Sequence, residues 1–261
     1  MTTSVYQALA AALAETDPQA KAVLTEVLAA DWRAGDLAVD DRPVELLCGR
    51  PEKPQLVAPN QLRQRNTNTV EGRASLVHAI VHIEFTAINL ALDHAARFRG
   101  LPRQYLDDWI DVAADEAAHF LMLHNRLQAL GYAYGDFPAH GGLWEMAEKT
   151  AHDPLVRMAL VPRLLEARGL DATPPIQARL LKAGDAETAR LLDIILADEI
   201  GHVGLGDRWY RHFCHQRSLE PESTYLRMLD AYQAPRPAAP LNETARLAAG
   251  FSRSELRALG G

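Results

Sequence analysis

Apolar residues recur three or four positions apart through most of the chain, and the interruptions mark where helices begin and end. Between 71 and 98 they fall at Val77, Ile80, Val81, Ile88, Ala91 and Ala95, and the run stops before Gly100 and Pro102. Between 102 and 130 the stripe is Trp109, Ala113, Phe120, Leu123 and Leu127. A third helical region, 143–168, contains Pro154 and Pro162 and is therefore kinked or divided. It is expected to break at Gly169 and to resume near Pro174, with Thr173 as cap, as a short helix to about 183. A fourth long helix runs from Asp185 to about His215.

Shorter elements flank these four. Residues 1–47 read as two short amphipathic helices, the second opened by Thr16-Asp17-Pro18. The proline-spaced polar text from Gly49 to Asn68 suits an extended arm lying across something. The connection 131–142 is rich in glycine and aromatics, and twelve extended residues reach at most about 40 Å. The tail carries a proline linker and a small helix signalled by the capping box Ser252-Arg253-Ser254-Glu255. Alternating strand patterns are absent. The expected fold is all-α: a helical preamble and arm over 1–69, a four-helix bundle over 70–216 made of two antiparallel hairpins with a crossover, and a C-terminal arm over 217–261.

Charge and cysteine content narrow the function. The 261 residues carry a formal net charge of −7, and no lysine- or arginine-dense face is visible that would neutralise a phosphate backbone, so nucleic acid is not expected as a partner. The two cysteines, Cys48 and Cys214, match no CxxC spacing, which fits a reducing cytoplasm. The N-terminal text has no positive segment of a leader, and no membrane span is expected.

Glutamates interrupt the apolar stripes. Glu84 sits on the first, Glu116 on the second, and Glu166 at the end of the third. The pattern DExxH occurs twice, as Asp115-Glu116-Ala117-Ala118-His119 and Asp198-Glu199-Ile200-Gly201-His202. With 18 Asp, 16 Glu and 10 His, chance predicts about 0.04 occurrences. Residues three apart share a helix face, so each Glu and its His can hold one ion together. Glu84 lies 14 residues before Phe98 and Glu116 lies 14 after Pro102, which brings the two to one height in an antiparallel pair. The spacing repeats: Glu84 to Glu116 is 32 residues and Glu166 to Glu199 is 33. One glutamate from each of two helices plus Glu-x-x-His from each of the other two is the ligand set of a carboxylate-bridged dimetal site. Burying four carboxylates without cations would be prohibitive. Asp115 and Asp198 are expected to accept the second imidazole N–H of His202 and His119 respectively.

The chain resembles the ferritin-like dimetal carboxylate superfamily, which includes ferritins, ribonucleotide reductase small subunits and bacterial diiron hydroxylases. The longer strings "GRASLVHAIVHIEFTAINLALD", "GYAYGDFPAHGGLWEMAEKTAHD", "RMALVPRLLEARGLDATP" and "DEIGHVGLGDRWY" are similar to the bacterial ferritin-like proteins grouped as domain-of-unknown-function family 455. That resemblance implies a ferritin-like bundle with arms at both ends. It carries the metal ligands onto Glu84, Glu116, His119, Glu166, Glu199 and His202.

The expected activity is that of a non-haem diiron, or manganese/iron, oxidoreductase that uses O₂ on a small organic substrate, with an electron donor and a dimer as further expectations. A ferroxidase or metal-handling role, and a metal-stabilised binding module without turnover, are the alternatives. Around the site, Gly206 is read as leaving room for O₂ or substrate. Gly201 and Gly204 are read as packing glycines. Arg163 and Arg168 flank Glu166 and are read first as paired charges and second as a fork for a substrate carboxylate. His78 and His82 lie four apart, His82 about 200° round from Glu84, which favours contact with the arms over a substrate-side or proton-shuttle role. Trp109 and Trp209 read as core. Tyr132, Tyr134, Phe137 and His140 are lid candidates, and the break at Gly169 is a candidate substrate opening.

Overall fold

The computed structural model describes residues 3–63 and 65–260, most of them helical, so the all-α expectation holds. One small departure is a parallel pairing of two residues from each strand, β1 (Thr3–Ser4) with β2 (Leu37–Ala38), too short to carry an alternating pattern. The chain divides into two compact units, Met1–Gly141 and Gly142–Gly261, and the division falls inside the expected 70–216 bundle.

The first unit contains α1 (Val5–Ala14), α2 (Pro18–Ala34), α3 (Val70–Arg97) and α4 (Arg103–Ala129). Asp17 caps α2 by accepting the Ala20 N–H at 2.8 Å, and Pro18 occupies the first turn, where a missing N–H is harmless. Thr69 caps α3 in the same way, accepting from Gly72 at 3.0 Å. The hairpin α3–α4 is antiparallel: Phe85 packs on Phe120 with ring centroids 5.9 Å apart, and nine residues further along α3 His94 packs on Trp109 at 4.3 Å. Both tryptophans expected in the core, Trp109 and Trp209, are buried. Each large apolar side chain so buried contributes about 1.5–3 kcal/mol. By length and composition α3 could cross a membrane, against the expectation of no such run, but most of that window is buried inside the protein.

The preamble belongs to this unit. Lys21 is wholly buried and its Nζ donates to Leu13 O at 2.6 Å, Gly49 O at 3.0 Å and Asn89 Oδ1, tying α1, the start of the arm and α3 to one ammonium. Burial pulls its pKa down to about 8. The arm lies across the 131–142 connection: Val57 N–H donates to Ala139 O at 2.9 Å and Ala139 N–H to Gln55 O at 3.0 Å.

The second unit contains α5 (Gly142–Lys149), α6 (Pro154–Leu160), a π-helical segment Val161–Glu166, α7 (Ala167–Lys182), α8 (Ala186–Gln216), α9 (Pro221–Ala231), α10 (Glu243–Ala248) and α11 (Arg253–Ala258). Pro154 opens α6 behind an Asp153 cap, whereas Pro162 falls inside the helical path, where its missing N–H and its ring favour a wider turn. The capping box of Ser252 and Glu255 is formed as expected.

The break at Gly169 is not there, and with it goes the substrate opening placed on it. Helix α7 runs unbroken through Gly169, Pro174 and Pro175, and Thr173 is an interior residue whose hydroxyl donates to Gly169 O at 2.8 Å. Pro174 deprives the Leu170 carbonyl of its helical donor. Asn242 Nδ2 supplies one instead, at 3.0 Å, while the Asn242 N–H donates to Asp171 Oδ1 at 2.9 Å. The C-terminal arm thus repairs the helix at its weak point.

Candidate metal centre

Each unit carries half of the six-residue set. In the first, Glu84 on α3 meets Glu116 and His119 on α4, all three buried. His119 Nδ1 lies 3.5 Å from Glu84 Oε2 and 3.5 Å from Glu116 Oε2. One ligand atom from each of the three falls within 4.8 Å of the others. Donor atoms about 2.1 Å from a common tetrahedral ion stand about 3.4 Å apart, so these separations would suit a shared ion. Glu84 Oε2 is buried with no hydrogen-bond partner, which a cation would remedy.

The titrations follow from the crowding. Burial, with the Glu116 charge adding to it against the pull of His119, raises Glu84 to about 7. Burial would lower His119, but the two carboxylates outweigh it and push it up to about 11. Without a cation Glu84 and His119 are held toward their protonated forms; a divalent ion would take the place of those protons.

In the second unit, His202 Nδ1 lies 3.7 Å from Glu199 Oε1, so both ExxH motifs turn the same imidazole nitrogen toward their own glutamate. His202 is buried and Glu199 half-buried. Glu166 is the last residue of the π-helical segment and is half-buried. Asp115 and Asp198 are exposed.

The three residues expected at a substrate or O₂ passage are occupied otherwise. A Cβ on Gly206 would stand 2.2 Å from Pro162 Cβ, so the room beside this glycine is filled by the π-helical segment and is not an opening. Arg163 is wholly buried and paired with Asp207 and Glu255, which leaves no fork for a substrate. Of the other two glycines in that helix, Gly204 lies against the Ala249 backbone, as a packing glycine should, whereas Gly201 is exposed with nothing near it.

His82 contacts the connection. Its Nε2 lies 3.3 Å from His140 O and its Nδ1 2.8 Å from Tyr134 Oη. A carbonyl only accepts, so Nε2 carries the proton and Nδ1 accepts from the phenol. Tyr134 also packs on Phe85 and Phe120, the neighbours in sequence of Glu84 and His119. The lid candidates are therefore anchored to α3 and α4, with His78 Nε2 accepting the Gly135 N–H at 2.9 Å.

His78 supplies a pH test. Burial lowers its pKa to about 4, against about 6.5 when unfolded, so the unfolded chain takes up its proton first. Stability due to His78 is complete above pH 6.5 and is lost as pH falls through 4, at up to about 1.4 kcal/mol per pH unit. His78→Gln, which keeps an acceptor for Gly135, is expected to flatten the urea-unfolding free energy against pH in that window; an unchanged slope would refute it.

Sequence reasoning passed over Asp207, Arg211 and Lys21. A signal for the first two was present, an Asp and Arg four apart directly after the second ExxH motif.

A family model described as "Protein of unknown function (DUF455)" matches residues 14–257. The chain belongs to this family. An uncharacterized protein of Haemophilus influenzae is 47% identical to it over 221 residues, covering 82% of this chain and 77% of its relative. No solved structure matches.

Proposed function

We propose that this DUF455 protein is a ferritin-like dimetal carboxylate oxidoreductase: a four-helix bundle in which Glu84, Glu116 and His119 hold one ion and Glu166, Glu199 and His202 the other. The observation that carries the reading is the buried triad of the first unit, whose 3.5 Å separations fit a shared ion. The repeated Glu–His pair of the second unit, at 3.7 Å, supports it, as does the matching spacing of the two half-motifs.

A pair of iron ions, or manganese with iron, supplies the reduction of O₂ coupled to oxidation of an organic substrate. The protein's own part is to hold and to exclude. Glu84, Glu116 and His119 sit in a buried setting where carboxylate donors neutralise cations and bulk water does not compete. Asp115 and Asp198 fix the imidazole tautomers by accepting the N–H on the far side of each ring. Glu166 and Glu199 are the less buried ligands, so substrate approaches from their half of the site. The acidic chain favours a small metabolite over a polyanion.

The test is anaerobic loading with Fe(II) followed by O₂ in the presence of host metabolite extract. Two irons per chain and extract-dependent O₂ uptake that continues beyond one equivalent per site are expected. Uptake that ends after a single oxidation of the bound iron would support the ferroxidase alternative instead. Absence of stoichiometric metal removes both.

A further inference from the structure

Two arginines and two carboxylates close a ring in the second unit. Arg163 Nε donates to Asp207 Oδ1 at 2.6 Å and its Nη2 to Glu255 Oε1 at 2.5 Å. Arg211 Nε donates to Asp207 Oδ2 at 2.7 Å and its Nη2 to Glu255 Oε2 at 3.1 Å. Each carboxylate bridges both guanidinium groups, so the charges balance and one oxygen of each acid serves each base. Arg163 is wholly buried, its guanidinium 4.4 Å from the Tyr225 ring centre, 4.5 Å from Phe251 and 4.9 Å from Tyr210.

The ring joins distant parts of the chain at one place. Arg163 lies in the π-helical segment, Asp207 and Arg211 on α8, and Glu255 on α11. Further contacts fasten the same segment: Pro162 fills the space over Gly206, and the Tyr225 hydroxyl donates to Arg163 O at 3.3 Å. Gly250, at φ +96°, lets the chain pass Asp207 where any Cβ would come within 2.5 Å of its Oδ2.

These fastenings fall on the π-helical segment Val161–Glu166. A π-helical turn is rare and closes i→i+5 rather than i→i+4 hydrogen bonds, so it contains an extra residue. Relaxing it to α-helix would rotate the next stretch of helix by about 100°, the turn of one residue. Glu166 ends this segment, three residues after Arg163. We infer that Glu255 is a positioning residue for the metal centre: through Arg163 it holds the π-helical segment that aims Glu166. The inference rests on the dimetal reading, and adds that the C-terminal arm sets the second ion's site.

Co(II) titration of the full-length protein, followed by visible absorption, tests it. The wild type is expected to bind two ions. Glu255→Gln is expected to keep the ion of Glu84, Glu116 and His119, to weaken the other at least about tenfold, and to shift its absorption bands. Ser252→Ala, which removes the cap of the same helix but leaves the ring, is expected to retain wild-type bands and affinity. If Glu255→Gln does not fold by circular dichroism, Glu255→Asp, which keeps the charge and shortens its reach, is read the same way. A folded variant with wild-type stoichiometry, affinity and bands overturns the positioning role, as does equal weakening of both ions or the same change in Ser252→Ala. A wild-type chain that binds no Co(II) overturns the dimetal reading itself, and this inference with it.

Discussion

Glu116→Ala is expected to lose the thermal stabilisation that saturating divalent metal gives the wild-type chain through Glu84, Glu116 and His119. A ligand that binds only the folded state at a thousand times its dissociation constant stabilises by about 4 kcal/mol, which for a chain of this length raises the melting temperature by about 10 °C. The substitution removes a donor atom and a negative charge from beside Glu84 and His119. It also leaves Glu84 and His119 facing each other, so the metal-free protein should melt within a few degrees of the wild type. The contrast is the useful measurement: scanning calorimetry with and without Fe(II), Co(II) or Zn(II). A metal-dependent shift of wild-type size in Glu116→Ala would mean that the ions bind elsewhere.

The second large effect is expected at Gly206. Its added methyl in Gly206→Ala would stand 2.2 Å from Pro162 Cβ and 3.0 Å from Pro162 Cγ. A proline ring has no rotamer to escape into, so α8 and the π-helical segment must separate. Overpacking of this kind costs about 1–3 kcal/mol and here falls at the upper end. Urea unfolding should show that loss, and metal affinity should fall with it because Glu166 moves with the segment. Were this glycine simply leaving space beside a metal ion, alanine would preserve stability and impair turnover alone. Wild-type stability in Gly206→Ala would refute the close packing of Pro162 on this glycine.

The two positions, Glu116 and Gly206, show where sequence reasoning succeeds and where it fails. Positions that obey one local period are legible: Glu84, Glu116 and His119 fall on apolar stripes of α3 and α4, and a count of residues to the Pro102 end of α4 brings them to one height. Caps are legible for the same reason, as at Asp17 and Ser252, because the partner lies two or three residues away. What stayed hidden depends on residues far apart. Thr173-Pro174-Pro175 reads as a new helix start on its own, and only Asn242, 72 residues beyond Leu170, makes it an interior. Arg163 reads as a charge near a ligand, and only Glu255, 92 residues away, makes it a buried strut. No short-range pattern distinguishes a glycine that gives room to a ligand from one that gives room to a proline.

The closed ring also bears on how the chain is made. Glu255 follows Arg163, Asp207 and Arg211 in the chain by 92, 48 and 44 residues, so it is made after all three. Until Glu255 is in place, two guanidinium groups share a single carboxylate, and the most buried of the charges is only half compensated. Glu84, Glu116 and His119 of the first unit are all present long before. A chain that stops before Glu255 is therefore expected to bring Glu84, Glu116 and His119 together while the ring around Arg163 stays open.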